Sequence, residues 1–199
     1  MKPSRLETFA DGVFAIAATL LILNVDTQIG EGPLGDKLLD IWPSYAAYAV
    51  SFVTIGIIWS NHHTVMNQIG RVDRAFLMLN IALLMCVAFV PFPTRLVAEH
   101  VHGDELRGPA LAYGLTMTVM SICYISLWLY ASRSNRLLRD DADPRVVSGI
   151  TRTYVPGSFI YLGATLLAFI SPIVAVVAFG AIAVFYVFES SVFGRAEPA

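Results

Sequence analysis

The chain has 199 residues, of which 56% are hydrophobic and 14% are charged, and its formal net charge at pH 7 is −2. Soluble domains average about 25% charged residues, so this composition, with a mean hydropathy of +0.66, excludes an ordinary soluble domain and indicates a protein whose partner is the lipid bilayer. The basic residues are scattered over short loops, and no basic patch predicts a nucleic acid partner.

Six apolar stretches follow one another along the chain, each close to the roughly 20 residues that a membrane-spanning helix needs. They cover residues 8–28, 43–67, 75–100, 109–132, 154–170 and 173–193. We expect the segments 29–40 and 133–152 to be solvated connections, the second with room for short helical extensions of its neighbours. No cleavage site follows the first stretch, so it is expected to be a retained helix. The sequence predicts a single all-α domain, a polytopic membrane protein with six transmembrane helices.

The basic residues orient these six helices. If the N-terminus is cytoplasmic, only Lys37, Arg95 and Arg107 lie on the far side of the membrane, and the other ten of the thirteen basic residues lie inside. An excess of basic residues in cytoplasmic loops sets topology. An even number of spans then brings both termini to the cytoplasmic side of the cell (plasma) membrane.

No residue pattern points to catalysis. No nucleophile, base and orienting group stand at a spacing that would assemble an active site. Cys86 and Cys123 both lie inside apolar stretches, where free cysteines act as small packing residues, so no disulfide is expected. We therefore expect that the protein is not an enzyme and that it holds no cofactor.

The first apolar stretch has two faces with different tasks. With 3.6 residues per turn, Ile16, Thr19, Leu20 and Leu23 fall on one stripe, and Asp11 lies about 140° from Ile16. The stripe is apolar apart from one hydroxyl. A carboxylate near hydrocarbon is costly and usually has a partner. Asp11 is therefore expected to meet polar groups of other helices.

Several candidate partners for that carboxylate are expected at a similar depth, near the inner membrane surface. Together with Asp11, the predicted network comprises Arg5, Trp59, His62, His63 and Asn80. Three interpretations stay open for it. Adjacent histidines project about 100° apart, unlike a metal-binding pair on one helix face. Histidine titrates near neutrality, which suits a proton relay. A structural clamp that satisfies buried polar groups is the favoured interpretation.

Residues 5–11 read Arg-Leu-Glu-Thr-Phe-Ala-Asp, which resembles the Arg-x-x-x-Phe-Ser-Asp signature of the endolysosomal potassium channel family and its bacterial homologues. The apolar continuation 12–25, the Trp-Ser-Asn-His-His run at 59–63 and the six-span layout are similar as well. The detailed similarity covers the first three helices. Two positions depart from the family pattern: Ala10 replaces the signature serine, and Met66 stands where a phenylalanine is common.

The resemblance implies that the first helix lines the pore of a homotetramer, without the carbonyl-built filter of ordinary potassium channels. It places a hydrophobic constriction at Ile16 and further pore-lining positions at Leu20 and Leu23. As in some bacterial members, it implies a threonine layer at Thr19, near which potassium would pass transiently. The signature also adds Phe9 to the supporting set. These four pore positions are the stripe found above from helical periodicity.

The sequence is therefore interpreted as a subunit of a homotetrameric, potassium-selective channel in the lipid bilayer. Cations would pass a hydrophobic constriction formed by the first helix of each subunit, and potassium is the expected permeant species. The alternative is a proton-coupled carrier or a proton-conducting membrane protein that uses Asp11 with His62 or His63. A third class, a membrane scaffold without transport, has no specific feature in its favour.

Overall fold

The computed structural model describes residues 2–25 and 33–193, with the side chains of the last helix described as far as residue 188. Within these ranges the regular elements are helices. They are α1 (Pro3–Leu20), α2 (Leu34–Asp40), α3 (Trp42–Met66), α4 (Arg74–Phe89), α5 (Pro91–His100), α6 (Arg107–Ser132), α7 (Pro144–Leu167) and α8 (Pro172–Phe193), with short 3₁₀ turns at Leu21–Asn24 and Arg133–Asn135. The fold is all-α, as the sequence predicts.

Three helical segments are long and apolar enough to cross a bilayer: Pro3–Asn24, Arg74–His100 and Arg107–Asn135. The pair α2 and α3 passes the same test when it is taken as one span, although a bend of 46° separates the two helices. α8 is a shorter apolar helix over its described part, Pro172–Phe188. The helix order suits a six-span layout, and the division into six spans of one domain stays a prediction.

One of the predicted boundaries needs a correction. Residues 34–40, expected in a loop, form α2. This helix begins directly after Pro33, with the acidic Asp36 in its first turn and the basic Lys37 in its last turn, where the helix dipole favours each charge. The third predicted span, 75–100, matches the candidate span Arg74–His100, within which the helix breaks at Val90, since Pro91 and Pro93 have no N–H for the helix ladder. α7 begins at Pro144, ten residues before the predicted span, and so forms one of the helical extensions for which the segment 133–152 has room. The Asp143 carboxylate caps it by accepting from the Arg145 N–H. The end predicted for the first span, 26–28, lies outside the described residues.

α6 is the central helix of the subunit and packs against α4, α5, α7 and α8. Its side chains fill the core around the fully buried Trp128, whose Nε1–H donates to Thr151 Oγ1 on α7 at 2.8 Å. Gly114 lets α6 approach α7 and α8 closely, because a Cβ at this position would lie 2.5 Å from Thr165 Oγ1 on α7 and 2.8 Å from Phe179 Cζ on α8. α1 lies to one side of this core, against α3 and α4.

Two loops at one end of the bundle hold each other in place. The Gly70 N–H donates to the Leu137 carbonyl at 2.9 Å, and the Arg139 N–H donates to the Gln68 carbonyl at 2.9 Å. Asp73 caps α4 by accepting from the Phe76 N–H, and it also accepts from the Tyr130 hydroxyl at 2.7 Å. These donors hold the pKa of the Asp73 carboxyl below its ordinary value. Their stabilisation is present at neutral pH and is lost as the pH falls through that lowered pKa.

Candidate functional site

α1 packs against the rest of the subunit along one side only. The residues of the packed side are buried and recur at helical spacing. They are Leu6, Ala10, Phe14 and Ala17 on α1, and Leu21 on the 3₁₀ turn that follows it. Among the described residues the other side is largely exposed, with Ile16 at 61% and Leu23, on the 3₁₀ turn that follows α1, at 72%. A span with one side bare of protein contacts has a surface left for lipid, for other subunits or for a water-filled path.

The four residues of the predicted pore stripe all lie on this open side. Ile16, Leu20 and Leu23 are exposed large hydrophobic residues, and Thr19 is exposed between them. The Thr19 hydroxyl donates to the Ile16 carbonyl at 2.9 Å. Because that bond uses its only proton, the Thr19 oxygen keeps its lone pairs for another group. The stripe therefore offers three apolar side chains and one acceptor oxygen.

Two polar contacts attach α1 to α3. The Trp59 Nε1–H donates to Asp11 Oδ1 at 2.8 Å. One turn away, His63 Nδ1 and Glu7 Oε1 are also 2.8 Å apart and form a hydrogen bond or, when the ring is protonated, an ion pair. Each helix contributes two residues that are four apart, which places them on one face. The two contacts therefore orient α1 about its axis and also set its position along that axis relative to α3.

A third contact attaches α3 to α4. His62 and Asn80 are both fully buried, and the His62 Nε2–H donates to Asn80 Oδ1 at 2.8 Å. The His62 ring also packs on Phe14 of α1, with 5.5 Å between ring centroids. His62 Nδ1 and Asn80 Nδ2 have no hydrogen-bond partner among the described residues. The adjacent histidines thus make different polar contacts: His62 hydrogen-bonds to Asn80 on α4, and His63 bonds to Glu7 on α1.

The structure therefore divides the predicted network and leaves two of its members outside. The Arg5 side chain is exposed and makes no hydrogen bond or ion pair to the described residues, and Phe9 is exposed on the open side of α1. Glu7, which the sequence reasoning missed, takes the place expected for Arg5. Its signal was its position four residues before Asp11, matching the four between Trp59 and His63. Ala10, in place of the signature serine, lies on the buried side.

The metal-site interpretation gains no support from the geometry. Across the described residues, no three side chains of His, Cys, Asp or Glu come together as a metal-binding group. Cys86 and Cys123 are free thiols that are half-buried. The arrangement consists of paired polar groups that connect α1 with α3 and α3 with α4, and the structural clamp stays a prediction.

We expect Asn80→Leu to destabilise the protein, because it leaves the buried His62 Nε2–H without an acceptor. The cost of an unsatisfied buried polar group is about 1–3 kcal/mol. Thermal unfolding in detergent measures it as a lower melting midpoint. The double variant His62→Phe with Asn80→Leu removes both partners and should recover part of the loss. If the double variant is no more stable than Asn80→Leu, the pair does not contribute in this way.

These features define a class: an all-α, polytopic membrane protein whose first helix, as far as it is described, is packed along one side and exposed along the other. The family described as "Endosomal/lysosomal potassium channel TMEM175" matches residues 5–91. A potassium channel of Streptomyces collinus is 43% identical in an alignment 195 residues long, which covers 94% of this chain and 93% of that relative. The chain belongs to the TMEM175 family.

Two further comparisons bear on the fold and the range of the family. The crystal structure of a lysosomal potassium-selective channel TMEM175 homologue from Chamaesiphon minutus has a TM-score of 0.85 with this chain at 36% identity, covering 94% of this chain and 97% of that one. The human endosomal/lysosomal proton channel TMEM175 is 35% identical in an alignment 143 residues long, which covers 66% of this chain and 28% of the human protein.

Proposed function

We propose that this chain is one subunit of a homotetrameric, potassium-selective channel whose pore is lined by α1. Two relatives that match almost the whole chain, the Streptomyces protein and the Chamaesiphon structure, are named as potassium channels. The observation that carries the proposal is the open side of α1, where an apolar stripe with one hydroxyl is exposed in the described part of the subunit. Four copies that place this stripe on a common axis enclose a narrow path.

Ile16 forms the constriction in this proposal. Four isoleucine side chains offer no oxygen to replace the water around an ion, so a ring of them obstructs the path by dewetting and selects by width. Leu20 and Leu23 continue the apolar wall over the next two turns. Thr19 supplies the polar element, because its hydroxyl proton is already given to the Ile16 carbonyl and its oxygen is left to coordinate a potassium ion passing transiently.

The clamp gives the pore helix its position. The contacts of Asp11 with Trp59 and of Glu7 with His63 fix α1 against α3 at the end where the chain begins. When a single ring of side chains forms a constriction, small rotations of the helices that carry those side chains change its diameter. We therefore assign these residues to holding the pore in register and not to contact with the ion.

The test is ion flux into liposomes that contain the purified protein. Potassium should enter in response to a gradient, and sodium should enter much more slowly under matched conditions. Protein whose recovered oligomer has been verified in detergent is used, so that a missing subunit contact is not mistaken for a closed pore. Equal rates for potassium and sodium, or rates equal to those of empty liposomes, would overturn the proposal.

Proton conduction is the second candidate, and the name of the human relative as a proton channel favours it. It was also the alternative that the sequence suggested, through Asp11 with His62 or His63. In that case the carboxylates of the clamp, Glu7 and Asp11, would carry protons along α1. The same liposomes report on it when a membrane-permeant anion is present to balance the charge: a pH gradient that collapses without potassium on either side supports proton conduction, and a gradient that persists excludes it.

The proposed orientation places both termini in the cytoplasm of the cell. A cysteine introduced at Gly103 should react with an impermeant thiol reagent added from outside, and a cysteine at Ser134 should not. Both positions are exposed, so a difference in labelling reports the side of the membrane. A third useful position, Gly32, lies outside the described residues. Labelling at Ser134 with protection at Gly103 would show that the topology is the reverse of the one proposed.

A further inference from the structure

A cavity of about 270 Å³ lies inside the subunit, away from α1. Its walls come from the first half of α3, from α5 with Val101 just beyond it, from α6 and from the start of α8. Almost all of the wall is apolar, and none of the lining residues belongs to α1. The cavity is therefore separate from the proposed pore.

The floor of the cavity carries three hydroxyl groups that are nearly or fully buried: Ser51, Thr94 and Tyr113. Ser51 Oγ is 2.9 Å from Thr94 Oγ1 and 3.3 Å from Tyr113 Oη. Thr94 Oγ1 in turn donates to the Val90 carbonyl at 2.8 Å. These distances form one continuous hydrogen-bonded chain that ends on a backbone oxygen.

The Val90 carbonyl fixes the direction of that chain, because a carbonyl oxygen only accepts. Thr94 gives it its proton, so Ser51 donates to Thr94, and Tyr113 donates to Ser51. All three hydroxyl protons are then used inside the chain, and lone pairs are left on its oxygens. The floor of the cavity accordingly offers hydrogen-bond acceptors and no donor.

The mouth of the cavity lies among exposed apolar residues, a surface that suits the lipid of a surrounding membrane. Trp42, Ile173 and Val177 line the cavity and are exposed, and Ser51 lies nine residues, or roughly 14 Å, along α3 from Trp42. A ligand that enters here comes from an apolar medium, crosses an apolar wall and meets acceptor oxygens at the end. A cavity of about 150 Å³ holds benzene, so this one has room for about ten non-hydrogen atoms.

We propose that this cavity binds a membrane-dissolved aliphatic alcohol, a molecule with an apolar body and a single hydroxyl donor. The aliphatic chain fills the apolar wall, and the hydroxyl donates to the acceptor oxygens of the Ser51, Thr94 and Tyr113 chain. A plain hydrocarbon chain would fill the same wall without using the floor. The proposal does not depend on which ion the protein conducts.

Photolabelling with a diazirine derivative of octan-1-ol tests this assignment. The protein in liposomes is irradiated with the probe, and the labelled peptides are located by mass spectrometry. Adducts should concentrate on the lining segments of α3 and α8 and should be reduced by excess octan-1-ol. For each probe, labelling of the lining is divided by labelling elsewhere on the chain. This ratio should be about fivefold higher for the alcohol probe than for the matching octane diazirine, because one neutral hydrogen bond changes an affinity by about that factor.

Two controls make the result specific. The methyl ether of the alcohol probe accepts but does not donate, so it should label only as well as the hydrocarbon. Val177→Trp narrows the mouth and should abolish labelling of the lining, whereas Val184→Trp, an exposed position on α8 outside the cavity lining, should leave it intact. Adducts spread evenly over the lipid-facing surface, or equal labelling by the hydrocarbon or the ether, would overturn the proposal.

Discussion

Ile16→Ala is expected to raise cation flux and to weaken the preference for potassium over sodium. Ile16 lies on the open side of α1, with 61% of its surface exposed in the single subunit. If four copies meet at this position, replacing each isoleucine by alanine widens the narrowest ring and reduces the apolar bulk that a hydrated ion must pass. Selectivity should therefore change more than stability does, because few contacts within the subunit are lost.

The matched control is Ile122→Ala on α6. Ile122 is also a helical isoleucine with about half of its surface exposed, and it lies away from the proposed pore. Flux of potassium and of sodium into liposomes is measured for both variants at equal protein recovery. If Ile122→Ala changes the ratio of the two rates as much as Ile16→Ala does, the stripe on α1 is not the selective surface.

Asp11→Ala is expected to reduce recovery of the assembled protein and to lower its melting midpoint. The substitution removes the acceptor of the Trp59 Nε1–H, which is one of two polar contacts between α1 and α3. A hydrogen bond to a charged group contributes about 1.5–3 kcal/mol. Because α1 is proposed to line the pore, flux per recovered channel should fall as well.

Asp11→Asn separates the hydrogen bond from the charge. An asparagine oxygen still accepts from Trp59, so this variant should be less affected than Asp11→Ala. Thr8→Ala is a suitable control on the same helix, since the Thr8 hydroxyl bonds only the Ser4 carbonyl within α1. The assembled fraction is measured by size-exclusion chromatography in detergent. Wild-type assembly and melting of Asp11→Ala would show that Asp11 is a surface charge without a clamping role.

The two faces of α1 could be predicted because they follow from helical periodicity alone. Residues at spacings of three and four lie on one side of a helix, and the apolar stripe from Ile16 to Leu23 has that spacing. The separate directions of His62 and His63 were also contained in the sequence, since adjacent residues project about 100° apart. Which helix each ring contacts depends on packing, which a single sequence does not specify.

Other features had no clear signal in the sequence. Apolar composition extends across Pro91 and Pro93, so the interruption of the third span was visible only as two prolines in a hydrophobic run. The early start of α7 depends on the Asp143 cap, within a segment whose charges indicate a loop. The cavity above Ser51 is formed by residues from four helices, and nothing in their local sequence brings them together.

The most direct test of the account is chemical modification of a cysteine at Leu23 while current is recorded. Leu23 is 72% exposed on the open side of α1, and a charged thiol reagent attached there should block potassium current in a background without Cys86 and Cys123. The same reagent on a cysteine at Ile170, which is 81% exposed and away from the stripe, should leave the current unchanged. Block at Leu23 alone is the predicted result. Unchanged current after verified modification of Leu23, or equal block at both positions, would contradict a pore lined by α1.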